Sequence, residues 1–378
     1  MVAIVGAAET DEIGTVAKSS LGLATDAARR ALADCDMTAA DVDGVAMSGL
    51  NPYLPTILSH SLGIEARWVD ATMVGGCSNV VHLRHAVAAI RTGQCEVVLV
   101  AHGESGRSHI GGALYRPAPD SWQGQFELPF GTVGPMTLLT LGALRFLRDR
   151  GLDRRALAEV VVAQRGWAAR NPRALRQDPI TLAEVLDAPL VAYPFTRPMC
   201  CVTTDAGGAI VLTSAERARH LPRPPVYVLG TGEATGVAMA SQMRDLTSSD
   251  AFRHAGAAAF GDAGLAPSHI DHAMLYDATA VLPLMALEDL GFVAHGDSGA
   301  FVADGHTSVG GQLPVNTNGG GLNYTHSGMY GMYALQESVR QLRGEAAAQV
   351  QGVTRSLTHA IGGMFQAAAT AILSTQVV

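Results

Sequence analysis

Ala31-Leu-Ala-Asp-Cys-Asp-Met-Thr-Ala-Ala-Asp-Val-Asp43 and Ala259-Phe-Gly-Asp-Ala-Gly-Leu-Ala-Pro-Ser-His-Ile-Asp271 are two versions of one passage. Each reads as a helix end, a turn, a capped restart at Thr38 or Ser268, and the opening of a strand. Each leads into the same series of glycine loop, helix and strand, from Gly75 to Val100 in the first half and from Gly320 to Thr358 in the second. One matching segment could arise by chance, but a matching order of elements points to a duplicated unit. Loops from both halves can then meet where the halves join.

Around these passages, apolar strand-like runs alternate with helical patterns: 2–5, 21–33, 42–47, 82–91 and 96–101. That alternation predicts an α/β fold with a largely parallel sheet. The halves divide at 1–230 and 231–378. Between the repeats, residues 105–198 form an excursion with amphipathic helices near 136–150 and 154–170. It reads as an inserted cap, with natural breaks at Asn171-Pro172 and Tyr193-Pro194.

A chain of 378 residues, 48% hydrophobic, can bury a large core. The net charge of −8 argues against nucleic acid as the main partner. The five cysteines have no framework spacing and point to a reducing compartment. Met1-Val-Ala-Ile-Val-Gly6 reads as a buried strand rather than a signal peptide. No run reaches the ~18 apolar residues of a membrane helix. The expectation is a soluble cytoplasmic protein. His82 and His85 share a helix face without a third ligand, so no metal site is expected. Gly230-Thr-Gly-Glu-Ala-Thr-Gly236 misses the dinucleotide spacing.

Three glycine-flanked loops carry reactive groups: Met73-Val-Gly-Gly-Cys-Ser-Asn79, Asn316-Thr-Asn-Gly-Gly-Gly-Leu-Asn-Tyr-Thr-His-Ser-Gly328 and Leu357-Thr-His-Ala-Ile-Gly-Gly363. Cys77 sits at the head of an apolar helix, where a helix N-terminus lowers a thiol pKa. It reads as a nucleophile or, equally, as a small buried residue at a tight contact. His326 and His359 can take a proton or donate to an oxyanion. Tyr324 lies two residues before His326. Tyr276-Asp277 follows a strand, at the end where α/β sheets present functional groups, though Asp277 also suits a helix cap. Tyr330 and Tyr333 read as core.

Taken together the chain resembles the thiolase superfamily, in its sterol-carrier-protein/lipid-transfer-protein type. The resemblance is carried by Gly75-Gly-Cys-Ser-Asn79 through Gly93, Asn171-Pro172, Pro198 to Gly208, Tyr276-Asp277, Asn316 to His326, Arg340 to Gly344 and His359-Ala-Ile-Gly-Gly363. It implies a duplicated thiolase fold, βαβαβαββ twice in five αβαβα layers with an inserted cap. It also implies coenzyme A thioester substrates, and loop glycines Gly320, Gly321, Gly362 and Gly363 lying against that group. Coenzyme A belongs to the substrate, and no covalent cofactor is implied. A homodimer is implied too, with a separate DUF35 partner of zinc-ribbon and oligonucleotide-binding type completing a heterotetramer.

Three positions depart from the thiolase pattern. Counting seventeen back from Gly93, where the nucleophile belongs, reaches Gly76 and not Cys77. The usual Asn or His at the strand end is Tyr276, and the usual Gly-His-Pro is Thr325-His326-Ser327. A missing nucleophile with retained acid–base groups resembles the steroid side-chain aldolases, which cleave β-hydroxyacyl-CoA by retro-aldol chemistry. On that reading Tyr324 and Tyr276 take acid–base roles, His326 holds the thioester oxygen and His359 supports it. The bulky residues Trp122, Phe126 and Phe130 suit either an acyl pocket or the cap's own core. On the alternative reading, a thiolase, Cys77 attacks a β-ketoacyl-CoA, with a one-residue bulge restoring register. A silent acyl-CoA-binding subunit is the third.

Overall fold

Residues 31–43 and 259–271 take equivalent paths through two copies of one unit. The computed structural model describes residues 1–49, 51–110 and 117–377, so 111–116 of the cap lie outside the described residues. The first copy comprises β1 (Val2–Glu9), α1 (Ser20–Asp34), β2 (Gly44–Met47), β3 (Trp68–Asp70), α2 (Ser78–Arg91), β4 (Val97–Ser105) and β5 (Asp205–Ser214). The second comprises β6 (Val226–Thr235), α3 (Asp250–Ala263), β7 (His272–Leu275), α4 (Gly331–Arg343), β8 (Arg355–Gly362) and β9 (Ala367–Ser374). Because β6 opens the second copy at Val226, a division at 230/231 runs through that strand.

Strand order makes the duplication explicit. One continuous nine-stranded sheet has two halves, one per copy: the first runs β3-β2-β4-β5-β1 and the second continues β6-β9-β8-β7. In the first, β2 is parallel to β3 and β4, and β4-β5-β1 are antiparallel. In the second, β8 is parallel to β7, and β8-β9-β6 are antiparallel. Val315 bridges Ala273 in parallel, taking the place that β3 holds in the first copy. Among the described residues, the two halves join edge to edge only at Ala3↔Tyr227 and Ile4↔Val226. The sheet is therefore mixed rather than largely parallel, since each unit ends in antiparallel strands.

Five layers follow from which helix touches which half of the sheet. Helix α1 covers β1, β4 and β5 from outside, and α3 covers β6 and β9. Helices α2 and α4 touch strands of both halves and each other, so they form the middle layer. A helix buried on all sides must satisfy its polar groups. In α4, Glu337 accepts from Thr317 at 2.7 Å and Ser338 pairs with Thr358 at 2.8 Å. The turns before β2 and β7 differ in detail. Asp41 accepts from both the N–H and the hydroxyl of Thr38, whereas His269 rather than Ser268 accepts from the Ala266 N–H at 3.0 Å.

The cap carries helices Pro135–Asp149 and Arg154–Ala168. Arg165 donates to the Asn323 side chain at 2.7 Å and Asn171 to the Asn318 carbonyl at 2.9 Å, fastening the cap to the loop before α4. Trp122, Phe126 and Phe130 do not form a cap core: they are 63%, 60% and 85% exposed.

Outer helices approach the sheet at glycines in both copies. An added Cβ would stand 2.5 Å from the Leu23 carbonyl at Gly207 and 2.0 Å from the Ala255 carbonyl at Gly232. Gly207→Ala and Gly232→Ala should each destabilise by about 1–3 kcal/mol through overpacking. The double variant should lose about the sum, because the sites lie in separate copies. Urea unfolding of the three variants checks both expectations.

Candidate active site

The N-termini of the central helices and the C-terminal ends of β4, β7 and β8 gather at one place. Tyr276 leaves β7 there. Its N–H donates to the His359 carbonyl on β8 at 3.0 Å. The Asn316 side chain clamps the preceding Leu275 through both backbone groups at 2.8 Å. This rigid exit sends the ring of Tyr276 edge-on into His326, with centroids 5.5 Å apart, and into Tyr330 at 5.8 Å.

The Tyr276 hydroxyl lies 2.9 Å from His326 Nε2, 3.4 Å from the Gly328 carbonyl and 3.4 Å from the Tyr330 N–H. His326 Nδ1 accepts from the Gly328 N–H at 3.3 Å. That bond assigns the ring proton to Nε2, so the imidazole donates to the phenol oxygen. Burial raises the Tyr276 phenol well above its ordinary value and pushes His326 down to about 4. Both groups are neutral near pH 7, and the phenol keeps its proton to donate. Gly328 and Gly363 are exposed, so the surface opens beside the pair.

Gly76 makes room for this arrangement. A Cβ there would stand 2.3 Å from the Tyr276 hydroxyl and 2.5 Å from its Cζ. The phenol thus occupies the space of a side chain at residue 76. Cys77, one position on, turns away. Its sulfur faces the Val74 carbonyl at 3.5 Å and would be 2.8 Å from a Cβ on Gly362. Burial pushes the thiol up to about 12, opposite to the lowering expected at a helix start. Desolvation outweighs the helix dipole because the sulfur reaches no water.

His359 sits within β8. Its Nδ1 pairs with the Thr370 hydroxyl at 2.8 Å, its ring meets Phe252 edge-on at 4.5 Å, and its Nε2 is buried with no partner among the described residues. Burial pushes it down to about 3.

Tyr324 does not join the pair. Its hydroxyl donates to Glu9, which also meets Arg340 at 2.8 Å and Arg173 at 3.4 Å. Burial and the Glu9 charge raise this phenol far above its ordinary value, so the acid–base role expected for it is replaced by a structural one. Gly320, Gly321 and Gly362 likewise serve packing rather than an open face for coenzyme A, while Gly363 stays exposed. A Cβ on Gly320 or Gly321 would meet Asp277 at 2.2 or 3.0 Å, and Asp277 accepts from the Gly321 and Leu322 N–H groups. A Cβ on Gly362 would meet the Val74 carbonyl at 1.8 Å, and one on Gly363 the Gln366 side chain at 2.0 Å.

The sequence reading missed Tyr330. Its ring stacks on His326 at 6.4 Å and 5°, its N–H donates to Tyr276, and its hydroxyl donates to Asn318 at 2.7 Å. Helical spacing hid it among core positions. Only its place at the head of a helix following the His326 loop marked it.

Comparison with known proteins agrees with this architecture. The family model for thiolase C-terminal domain-like sequences matches residues 232–375. Over 374 residues the chain is 32% identical to a steroid side-chain-cleaving aldolase of Thermomonospora curvata, covering 96% of this chain and 95% of that protein. It is also 32% identical to a 17-hydroxy-3-oxo-4-pregnene-20-carboxyl-CoA lyase of Mycobacterium tuberculosis, covering 96% of each. An acetyl-CoA acetyltransferase of Methanothermobacter thermautotrophicus is 31% identical, covering 99% of each. The solved structure of an Ltp2-ChsH2(DUF35) aldolase superposes with a TM-score of 0.92 at 32% identity, over 99% of this chain and 97% of that one. Identity alone, 32% to the two lyases and 31% to the transferase, barely separates them.

Burial opposes ionisation of Glu9, but Arg340, Arg173 and the Tyr324 hydroxyl outweigh it and hold the carboxyl below its ordinary 4.5. A depressed carboxyl contributes stability above the unfolded pKa and loses it as pH falls through the folded one. Tyr324→Phe removes a buried hydrogen bond to a charged group, which should cost about 1.5–3 kcal/mol at pH 7. The deficit should shrink on acidification below pH 4.5. Urea unfolding at several pH values measures it.

Proposed function

The chain belongs to the thiolase superfamily, and from that premise we propose that it is an acyl-CoA carbon–carbon lyase, cleaving a β-hydroxyacyl-CoA of steroid or lipid side-chain type by retro-aldol chemistry. One observation carries the reading. At the residue where a thiolase nucleophile belongs stands Gly76, and the Tyr276 phenol fills the space it leaves.

The chemistry follows from what retro-aldol cleavage requires. As the Cα–Cβ bond breaks, negative charge moves onto the thioester oxygen. A neutral phenol held by a neutral imidazole is a preorganised donor for such an oxyanion, and removing one such donor typically costs 10²–10³-fold in rate. Tyr276 is the donor in this reading. His326 fixes its oxygen through Nε2 and Tyr330 through its backbone N–H. The Nε2 of His359, buried without a partner among the described residues, supports a further polar contact to the thioester or its enolate. No covalent acyl-enzyme is needed, in keeping with a thiol at Cys77 that is buried and protonated.

The substrate brings coenzyme A with it. The similarity to an aldolase solved with a DUF35 protein supports a separate partner of that type for this chain. Edge strand β3, with Val69 53% exposed, supports pairing with a second copy. Five free cysteines support a reducing, cytoplasmic setting.

Two assays on the complex with its partner test the reading. One follows cleavage of a β-hydroxyacyl-CoA without free coenzyme A; the other follows thiolysis of a β-ketoacyl-CoA. Cys77→Ala should leave the first reaction essentially unchanged. Tyr276→Phe should slow it about 100-fold or more. A reaction that demands free coenzyme A and dies with Cys77→Ala would instead make the protein a thiolase.

A further inference from the structure

The Tyr276–His326 pair supplies a proton donor but no base. Tyr276 is a protonated phenol and His326 has its Nε2 proton committed to it. Tyr324 is tied to Glu9, and Asp277 spends both oxygens on backbone N–H groups. Retro-aldol cleavage still needs an acceptor for the β-hydroxyl proton.

Glu104 has the required position. It lies at the C-terminal end of β4, two residues past His102 and so on the same strand face. His102 Nε2 lies 2.9 Å from the Ser327 hydroxyl, which anchors the loop of His326 over this strand end. The Glu104 carboxyl packs on the next residue, Gly328. A Cβ there would stand 2.2 and 2.3 Å from its two oxygens, and the φ of +109° independently demands glycine. The carbonyl of that same Gly328 lies 3.4 Å from the Tyr276 hydroxyl. Carboxyl and phenol therefore flank one exposed peptide unit. Among the described residues, Glu104 has no hydrogen-bond or ion-pair partner, and it retains partial solvent access.

We propose that Glu104 is the catalytic base, taking the proton of the substrate's β-hydroxyl and returning it to the α-carbon. This rests on the lyase reading. The O–H bond breaks and its proton passes to the carboxylate. The Cβ–O bond becomes a carbonyl as the Cα–Cβ pair moves into the thioester enolate, whose oxygen the phenol of Tyr276 holds. The proton then passes from Glu104 to Cα, and the carboxylate is restored. Atoms and charge balance with no oxidant, reductant or added cofactor.

The surroundings suit a base that works near neutrality. Burial and, after it, the nearness of Glu104 raise the phenols of Tyr276 and Tyr333. Burial pushes His102, two residues back on β4, down to about 3 and His326, two residues before Gly328, down to about 4. All are uncharged at pH 7, so burial alone acts on Glu104 and pushes it up to about 7. As a base it works in its ionised form, so cleavage should rise with pH through about 7 and level off above.

The test is the pH profile of kcat for β-hydroxyacyl-CoA cleavage by wild type, Glu104→Gln, Glu104→Asp and Tyr276→Phe, each with its partner protein. Glu104→Gln should fall about 100-fold or more and lose the rising limb. Glu104→Asp should keep a limb at an intermediate rate, and Tyr276→Phe should keep the limb with a lower plateau. An active wild type whose limb and rate survive Glu104→Gln overturns the role of Glu104 alone. A wild type that cleaves only β-ketoacyl-CoA with free coenzyme A overturns the lyase reading and this role with it.

Discussion

The two halves touch backbone to backbone where helices α2 and α4 begin, and the site is built on that contact. A Cβ on Gly331 would stand 2.6 Å from the Gly76 carbonyl. Glycine on both sides lets two helix starts approach as close as main chains can. Once they do, the ring of Tyr276 has one place to go, over Gly76 and under the loop of His326. The middle layer is thus both the join of the duplicated fold and the floor of the site. Packed interiors transmit such constraints because they contain little free volume.

That contact also sets the electrostatics. A buried thiolate–imidazolium pair would need solvation or compensating charge at the interface. The chain instead buries a neutral phenol and a neutral imidazole, joined by one 2.9 Å hydrogen bond and backed by main-chain groups of Gly328 and Tyr330. The strong charges are set apart in the Glu9–Arg340–Arg173 cluster, which ties β1 to α4 and takes up Tyr324. One carboxyl, Glu104, is left beside the pair without a counter-charge among the described residues. The division explains why two tyrosines six residues apart, Tyr324 and Tyr330, have such different work. One donates a hydrogen bond into a buried ion cluster and the other packs against the pair.

Much of this was legible along the chain. The repeated passages at 31–43 and 259–271 disclosed the duplication, because the same helix, turn and strand patterning recurs in the same order. The count from Gly93 to Gly76 marked a missing nucleophile, and Tyr276 was marked by its place at a strand end. Those readings rest on local periodicity and fixed spacing, which a linear sequence records. The direction of a side chain is not recorded that way. Cys77 had the position of an activated thiol, yet the loop turns it toward Val74 and Gly362. Tyr324 had the neighbourhood of an acid–base residue, yet its hydroxyl meets Glu9 from a strand 315 positions away. Trp122, Phe126 and Phe130 had the composition of a pocket wall and lie on the surface.

The amino-acid order by itself determined the doubled α/β unit, the cap between its copies and the identity of the loops that converge. It did so because each depends on interactions among residues near in sequence. Only the tertiary structure decided which groups in those loops share a site and which state of charge they hold. Both depend on burial and on partners contributed by distant strands: His359 and Gly328 for Tyr276, Glu9 for Tyr324, and β4 for the carboxyl that faces Gly328.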